Sequence, residues 1–334
     1  MKVSSLGEFG LIARIRKRDT SRRFQSRSVI LGIGDDAAVF RPTPGFDLLL
    51  TTDLLLEGVH FPRAGVSLRD IGYKAIAVNV SDIAAMGGIP RAYLVSLALP
   101  GDFPVRDLEQ LYAGMRSGAR ESEIALLGGN TSSSARLFIN LTLVGEVERR
   151  RQITRAGARA GDLLFVTGTL GDSAAGCDLL RHAGRRRSHS PRNSFLIRRH
   201  LRPTARWREG RLLLKVASAM IDLSDGLSSD LTHLCDASGV GVELGASLLP
   251  ISRPLRALCR LARKDPLLYA LDGGEDYELL FTVPERRIER LYHLVRRGLL
   301  RVAPIGKILP KREGRGIIGP RGRVPLRPKG YRHF

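Results

Sequence analysis

Cysteine is scarce: Cys177, Cys235 and Cys259 are the three in 334 residues, and no two form a CxxC pair. That spacing argues against a disulfide framework or a thiolate zinc site and reads as reduced thiols. No apolar run approaches the ~18–20 residues a membrane-spanning helix requires. The longest candidate, 48–56, is interrupted by Asp53. The opening residues lack the apolar centre of an export signal, so a cytoplasmic location is expected. A phosphate-binding loop of Gly-rich type ending in Lys-Ser/Thr is missing, as is a dinucleotide fingerprint with its acidic partner. Any nucleotide bound here must have its phosphates held by other means.

Acidic residues are also in the minority, 33 against 54 Lys and Arg, for a formal net charge of +21. The excess is local. Residues 181–215 carry 12 basic residues against one acid, and 285–334 carry 15 against three, so the remainder is close to neutral. Aromatics make up 6% of the chain and are sparse in those basic segments. Stacking platforms for single-stranded nucleic acid are therefore not evident, and the basic stretches read as solvated surface. Nucleic-acid binding rests on charge alone.

What is present is an ordinary globular composition, 43% hydrophobic and 26% charged, long enough for two domains. Helical spacing is expected over 7–18, 68–87, 107–121, 171–182, 226–237 and 285–297. Strands are expected over 29–34, 46–52, 92–99, 124–127, 137–147, 163–167, 219–223, 240–244, 278–283 and 302–308, with loops at their glycine-rich ends. The pattern resets near 157–162, which divides the chain into 1–150 and 151–334. Helices and strands mix through both halves, giving an α/β (α+β) class.

Carboxylates recur beside small residues in this frame: Asp35-Asp36, Thr51-Thr52-Asp53, Asn79-Val80-Ser81-Asp82, and Asp222-Leu223-Ser224-Asp225 within 221–230. A carboxylate in an apolar setting is costly unless something positive holds it. Taken singly, Asp36 reads as a turn residue and Asp82 as a helix-face residue. Together, Asp36, Asp53, Asp82, Asp222 and Asp225 exceed the needs of one cation, so several Mg²⁺ bridging a polyphosphate are inferred.

These segments carry a family resemblance. Gly32-Ile33-Gly34-Asp35-Asp36-Ala37-Ala38, Thr51-Thr52-Asp53 with Glu57-Gly58-Val59-His60-Phe61, and Lys74 to Gly87 resemble the first-half motifs of thiamine-monophosphate kinases. Val166 to Gly176, Ile221 to Asp230, Gly273 to Leu280 and Gly330 to Phe334 continue the likeness from about residue 7 to the end. The resemblance implies the two-domain fold shared with aminoimidazole ribonucleotide synthetase, with an N-terminal domain that dimerises through its sheet. It also implies ATP-dependent conversion of thiamine monophosphate to thiamine diphosphate, with ATP as co-substrate and several Mg²⁺. Carried over by motif, the metal ligands are Asp36, Thr51, Thr52, Asp53, Asp82, Asp222 and Asp225. Tyr112, Gly129, Arg155 and Ser224 fall to ATP, and His60, Glu275 and Tyr331 to thiamine monophosphate. Without the motif, His60 reads as a loop histidine, Tyr112 as core and Arg155 as surface charge.

One position departs from the pattern: Gly128-Gly129-Asn130-Thr131 stands where the family has Gly-Gly-Asp-Thr. Asparagine keeps a carbonyl oxygen for Mg²⁺ but removes a negative charge, so a weaker metal site is expected at Asn130. Two alternatives stay open here. One is a related ATP enzyme of the same superfamily; the other is a weakly active or non-catalytic binder.

Overall fold

The computed structural model describes residues 1–5, 7–19, 28–62, 65–182 and 190–331. Most of the basic loop expected over 184–193, and the end of the C-terminal motif at 332–334, lie outside the described residues. The chain forms two compact units, Met1–Ile83 with Gly88–Arg150, and Ala84–Gly87 with Arg151–Phe334. Among the described residues, no helix is long and apolar enough to cross a membrane.

In the first unit, α1 (Gly7–Arg18) precedes a small ribbon of β1 (Val29–Leu31) and β2 (Val39–Phe40). The main sheet holds β3 (Phe46–Leu56), β4 (Ile89–Leu99), β5 (Ala125–Ser133) and β6 (Phe138–Glu148) in the order β3-β6-β4-β5. Helices α2 (Leu68–Ala85) and α3 (Val105–Ser122) complete the unit. Strand alternation gives β3 two different faces. Leu49 and Leu55 are buried with Thr51 and Asp53 between them, whereas Leu48, Leu50, Thr52 and Leu54 point to an exposed face. Helix α2 lies on the buried side, where Asp82 receives the Thr51 hydroxyl and Ile83 packs close to Gly145. The two helices approach closely because a Cβ at Gly72 would overlap the Leu111 carbonyl, and one at Gly114 that of Arg69.

The second unit is a seven-stranded sheet with helices and two apolar layers. Its strands are β7 (Leu163–Thr167), β8 (Ala219–Asp222), β9 (Val240–Gly245), β10 (Leu279–Val283), β11 (Val302–Pro310), β12 (Arg315–Gly319) and β13 (Gly322–Pro325). Their order is β13-β12-β9-β11-β7-β10-β8, antiparallel except where β12 meets β9. The helices are α4 (Asp172–His182), α5 (Pro191–Leu201), α6 (Trp207–Leu213), α7 (Leu227–Ser238), α8 (Arg253–Ala262), α9 (Pro266–Asp272) and α10 (Ile288–Arg296). Alternate residues of the central strands feed opposite cores: Leu164, Val166, Ile221 and Leu280 join one, and Phe165, Met220, Leu279 and Phe281 the other. Phe165 and Phe281 stack across the β7–β10 pair with centroids 5.7 Å apart.

Sequence patterning located most elements but misjudged several ends. The strand expected over 46–52 continues through Asp53 to Leu56, because β6 pairs with it along its whole length. The strand expected over 124–127 likewise runs on to Ser133 beside β4, through the glycines taken as a loop. Helices α5, α6, α8 and α9 and strands β2, β12 and β13 were not anticipated. For α8 the signal was there: the Ser252 hydroxyl accepts from the Leu255 N–H, and a proline occupies the first turn.

Candidate functional site

In the first unit, Thr51, Asp53 and Asp82 are brought together by two independent regularities. Residues 51 and 53 share the buried face of β3, and α2 places Asp82 over it, where Thr51 Oγ1 donates to Asp82 Oδ2. Burial, followed by the negative charge of Asp82, pushes the half-buried Asp53 carboxyl up to about 6. Two apposed carboxylates and a hydroxyl form a hard oxygen donor set that suits Mg²⁺. Among the described residues there is no group of three or more His, Cys, Asp or Glu able to hold a metal ion. A cation on Asp53 and Asp82 would thus complete its shell with water or phosphate oxygens, which is how Mg²⁺ usually binds.

The other first-unit candidates lie elsewhere. Asp36 is exposed on the bend between β1 and β2, where its backbone N–H donates to Asp35 Oδ1 at 2.9 Å. Thr52 faces away from Thr51, donating to Leu141 O at 3.0 Å and Asn140 Oδ1 at 3.2 Å, so one ion cannot take both hydroxyls. Asn130 is exposed and its Oδ1 accepts from the Thr131 N–H at 2.8 Å. It pairs with Ser96, which pairs in turn with Asn140, so all three belong to the same open face as Thr52. Yet β3 and β5 are opposite edges of the sheet, which separates Thr52 from Asn130 by roughly three strand spacings, about 14 Å.

Gly129 is required by packing, since a Cβ there would overlap the Val95 carbonyl. Tyr112 is buried in α3 and its hydroxyl is pushed upward, chiefly by that burial. His60 is oriented by the Leu56 N–H, which donates to Nδ1 at 3.0 Å and leaves the ring proton of the neutral form on Nε2. The neighbouring Glu57 and Phe61 help to line a cavity of about 520 Å³ with Phe103, Asp107 and Gln110.

In the second unit, five candidates gather around the turn after β8: Asp222, Ser224, Asp225, Glu275 and Tyr331. Asp222 ends the strand and is buried. The Ser224 carbonyl accepts from the Glu275 N–H at 2.7 Å, and the Asp225 carbonyl from the Tyr331 N–H at 3.1 Å. The turn is braced by Asp230, whose Oδ2 accepts from the Asp225 and Gly226 N–H groups, both at 3.1 Å. Burial and then the charge of Asp225 push Asp230 up to about 7 against those hydrogen bonds. The C-terminal strap docks here: Lys329 N–H donates to Ser228 Oγ at 3.2 Å and Gly330 N–H to Ser229 Oγ at 3.1 Å. Tyr331 is thereby anchored by its backbone while its side chain stays half exposed. Arg155 is exposed, with its carbonyl accepting from Ser238 Oγ at 2.9 Å.

A polar network beside this turn escaped the sequence reading. The carboxylate of Glu278, fully buried, receives Arg206 through two N–H groups at 2.7 and 2.8 Å, Arg199 at 2.8 Å and the Thr167 hydroxyl at 2.6 Å. Burial alone would raise its pKa, but Arg206 and Arg199 outweigh this and hold it low. Asp276 accepts from the Gly171 N–H at 2.6 Å and the Ser173 N–H at 3.1 Å at the start of α4. Two arginines of the segment taken as solvated surface are thus core ion-pair partners. Their only sequence signal was charge, which does not distinguish the two roles.

Comparison with known proteins places this geometry. The family model "AIR synthase related protein, N-terminal domain" matches residues 34–147, and "AIR synthase related protein, C-terminal domain" matches 159–319. The thiamine-monophosphate kinase of Aquifex aeolicus is 42% identical over all of both chains. That of Bacillus subtilis is 39% identical, covering 98% of this chain and 100% of its own. A solved structure described as AaThiL complexed with AMPPCP and TMP is 42% identical, with a TM-score of 0.79, covering 100% of this chain and 99% of that one. With both domain models matched in order and relatives aligned end to end, the chain belongs to the thiamine-monophosphate kinase family.

Proposed function

We infer that this chain transfers the γ-phosphoryl group of ATP to thiamine monophosphate, giving thiamine diphosphate. The observation that carries the reading is the Asp53–Asp82 pair with Thr51, set within a chain that matches thiamine-monophosphate kinases along its full length. A non-catalytic binder, raised by Asn130, is not favoured, because that change lies on the open face away from this pair.

The acceptor is a phosphate monoester whose second pKa of about 6 leaves it largely dianionic at neutral pH. It needs little help from a base; the obstacle is repulsion between two polyanions. Mg²⁺ bound between carboxylates and phosphates would supply the neutralising charge and help to align the reacting groups. Asp53, Asp82 and Thr51 are the residues assigned to hold it in the first unit, and Asp222 and Asp225 in the second. Ser224 and Arg155 are assigned to the nucleotide, and His60, Glu275 and Tyr331 to the acceptor. The transfer proposed is direct and in line, with no phosphoenzyme. The assay is incubation with ATP, MgCl₂ and thiamine monophosphate, followed by chromatography. Thiamine diphosphate should form and chelation by EDTA should stop it; no product under these conditions would refute the assignment.

The open face of the first-unit sheet supports a homodimer. Leu50 and Leu48 are 69% and 44% exposed there, around a polar row of Thr52, Thr142 and Asn140. A second copy covering this face would bury those leucines. Leu50→Glu should shift the protein to monomer in light scattering; an unchanged mass would sink the dimer proposal.

A further inference from the structure

The segment 273–278 is where the second unit concentrates unusual backbone and buried charge. Glu275 and Tyr277 both have left-handed backbone, φ 66° and 52°, which non-glycine residues keep only when the surroundings over-determine it. The surroundings do so. The Glu275 and Tyr277 N–H groups donate to Ser224 O and Leu223 O, Asp276 is held at the start of α4, and Glu278 by its two arginines. Of the three acids in this segment, Glu275, Asp276 and Glu278, Glu275 is the one whose side chain reaches solvent, at 29% exposure. Its backbone is tied to the turn that also receives the C-terminal strap.

That carboxylate is met from α5 by His200. The imidazole is buried at 4% exposure, and its Nδ1 lies 3.2 Å from Glu275 Oε2 and 3.1 Å from Ser173 Oγ. A carboxylate at that distance is accommodated by an N–H, so Nδ1 carries the proton and Ser173 shares the contact. A leucine would fill this place among Leu196 and Leu201 on the buried side of α5 without the cost of desolvating a polar ring. The polar ring is explained by its work on Glu275.

We propose that His200, assisted by Ser173, is a positioning residue that fixes the Glu275 carboxylate for the cationic ring system of the phosphoryl acceptor. This rests on the activity proposed above. The chemistry limits what Glu275 can face: an anchored carboxylate would repel the acceptor's phosphate and attract a thiazolium or aminopyrimidine. Disordering Glu275 should therefore weaken capture of the acceptor and leave capture of ATP alone.

The test is steady-state kinetics with each substrate varied separately, on wild type, His200→Leu, His200→Asn, Ser173→Ala, Glu275→Gln and the His200→Leu/Glu275→Gln double variant. Thermal unfolding of each is measured in parallel. His200→Leu should raise KM for thiamine monophosphate about tenfold, with KM for ATP within about twofold. His200→Asn, whose amide N–H can stand in for Nδ1–H, should recover most of the loss. The double variant should be no worse than Glu275→Gln alone. Should His200→Leu fail to fold, His200→Asn and Ser173→Ala carry the same comparison, each with a smaller rise in the same KM. Equal losses for both substrates, no recovery with asparagine, or effects that multiply in the double variant would overturn the positioning role. A wild-type chain that makes no thiamine diphosphate would instead refute the activity itself.

Discussion

Asp53 in the first unit and Asp276 in the second are both carboxyls pushed far above their ordinary value, to about 6 and about 7, yet they are built for different ends. Asp276 is buried, and two backbone N–H groups and nearby Arg199 partly offset the desolvation. Its neighbour Glu278 is wrapped by two arginines and a threonine. Asp53 is only half-buried, and the charge that acts on it is another acid, Asp82. The second unit thus uses its enclosed acids as internal fastenings, while the first apposes two acids where a cation and phosphates can reach. The same residue type is scaffold in one place and candidate site in the other, and the nature of its neighbours makes the difference.

If this contrast is right, removing a fastening should cost stability, and removing a site acid should cost activity. The largest effect is expected for Glu278→Leu, which strands Arg199 and Arg206 in the core. A loss of about 3–5 kcal/mol in urea unfolding is expected, and a loss under 1 kcal/mol would break the fastening half of the comparison. Next, Asp53→Asn should lower turnover on the order of a hundredfold, yet leave metal-free unfolding unchanged or slightly improved, because repulsion with Asp82 is relieved. A variant that is fully active would remove Asp53 from the site.

A smaller effect should appear as a pH dependence of the second unit. The folded pKa of Asp276 is raised, so the folded state holds a proton that the unfolded chain releases. The stabilisation is complete below about pH 4 and is lost as pH rises through about 7. Asp276→Asn should flatten that slope by at most roughly 1.4 kcal/mol per pH unit, seen in urea melts between pH 5 and 8. Parallel profiles for the two proteins would mean that Asp276 does not titrate in this range. The smallest change is expected for Asn130→Asp, which lies on the open face away from Asp53 and Asp82 and should leave half-saturating Mg²⁺ within about twofold. A several-fold fall would show that position 130 acts on the metal.

The sequence exposed the chemistry more fully than the geometry. Asp53, Asp82, Asp222 and Asp225 were legible as oxygen donors because acids among small and apolar residues need a reason to be there. The spacing of 163–167, 219–223 and 240–244 was enough to place those strands. His200, Arg199 and Arg206 were not legible, since a basic residue in a basic segment carries no local mark of burial. Their partners are distant in sequence: Glu275 lies 75 residues beyond His200, and Glu278 lies 72 beyond Arg206.

Residue identity and short-range pattern were enough to give the α/β class and to mark the acids among small residues, because these depend on side-chain chemistry and on periods of 2 and 3.6, whereas the family came from the likeness of the motifs to known kinases. Which acids meet which partners waited on long-range pairing. Thr51 and Thr52 are adjacent in the chain but belong to opposite faces of one strand, while Thr51 and Asp82, 31 residues apart, share a hydrogen bond. A side chain's neighbours are set by sheet register and helix docking, and a one-residue slip would exchange every face.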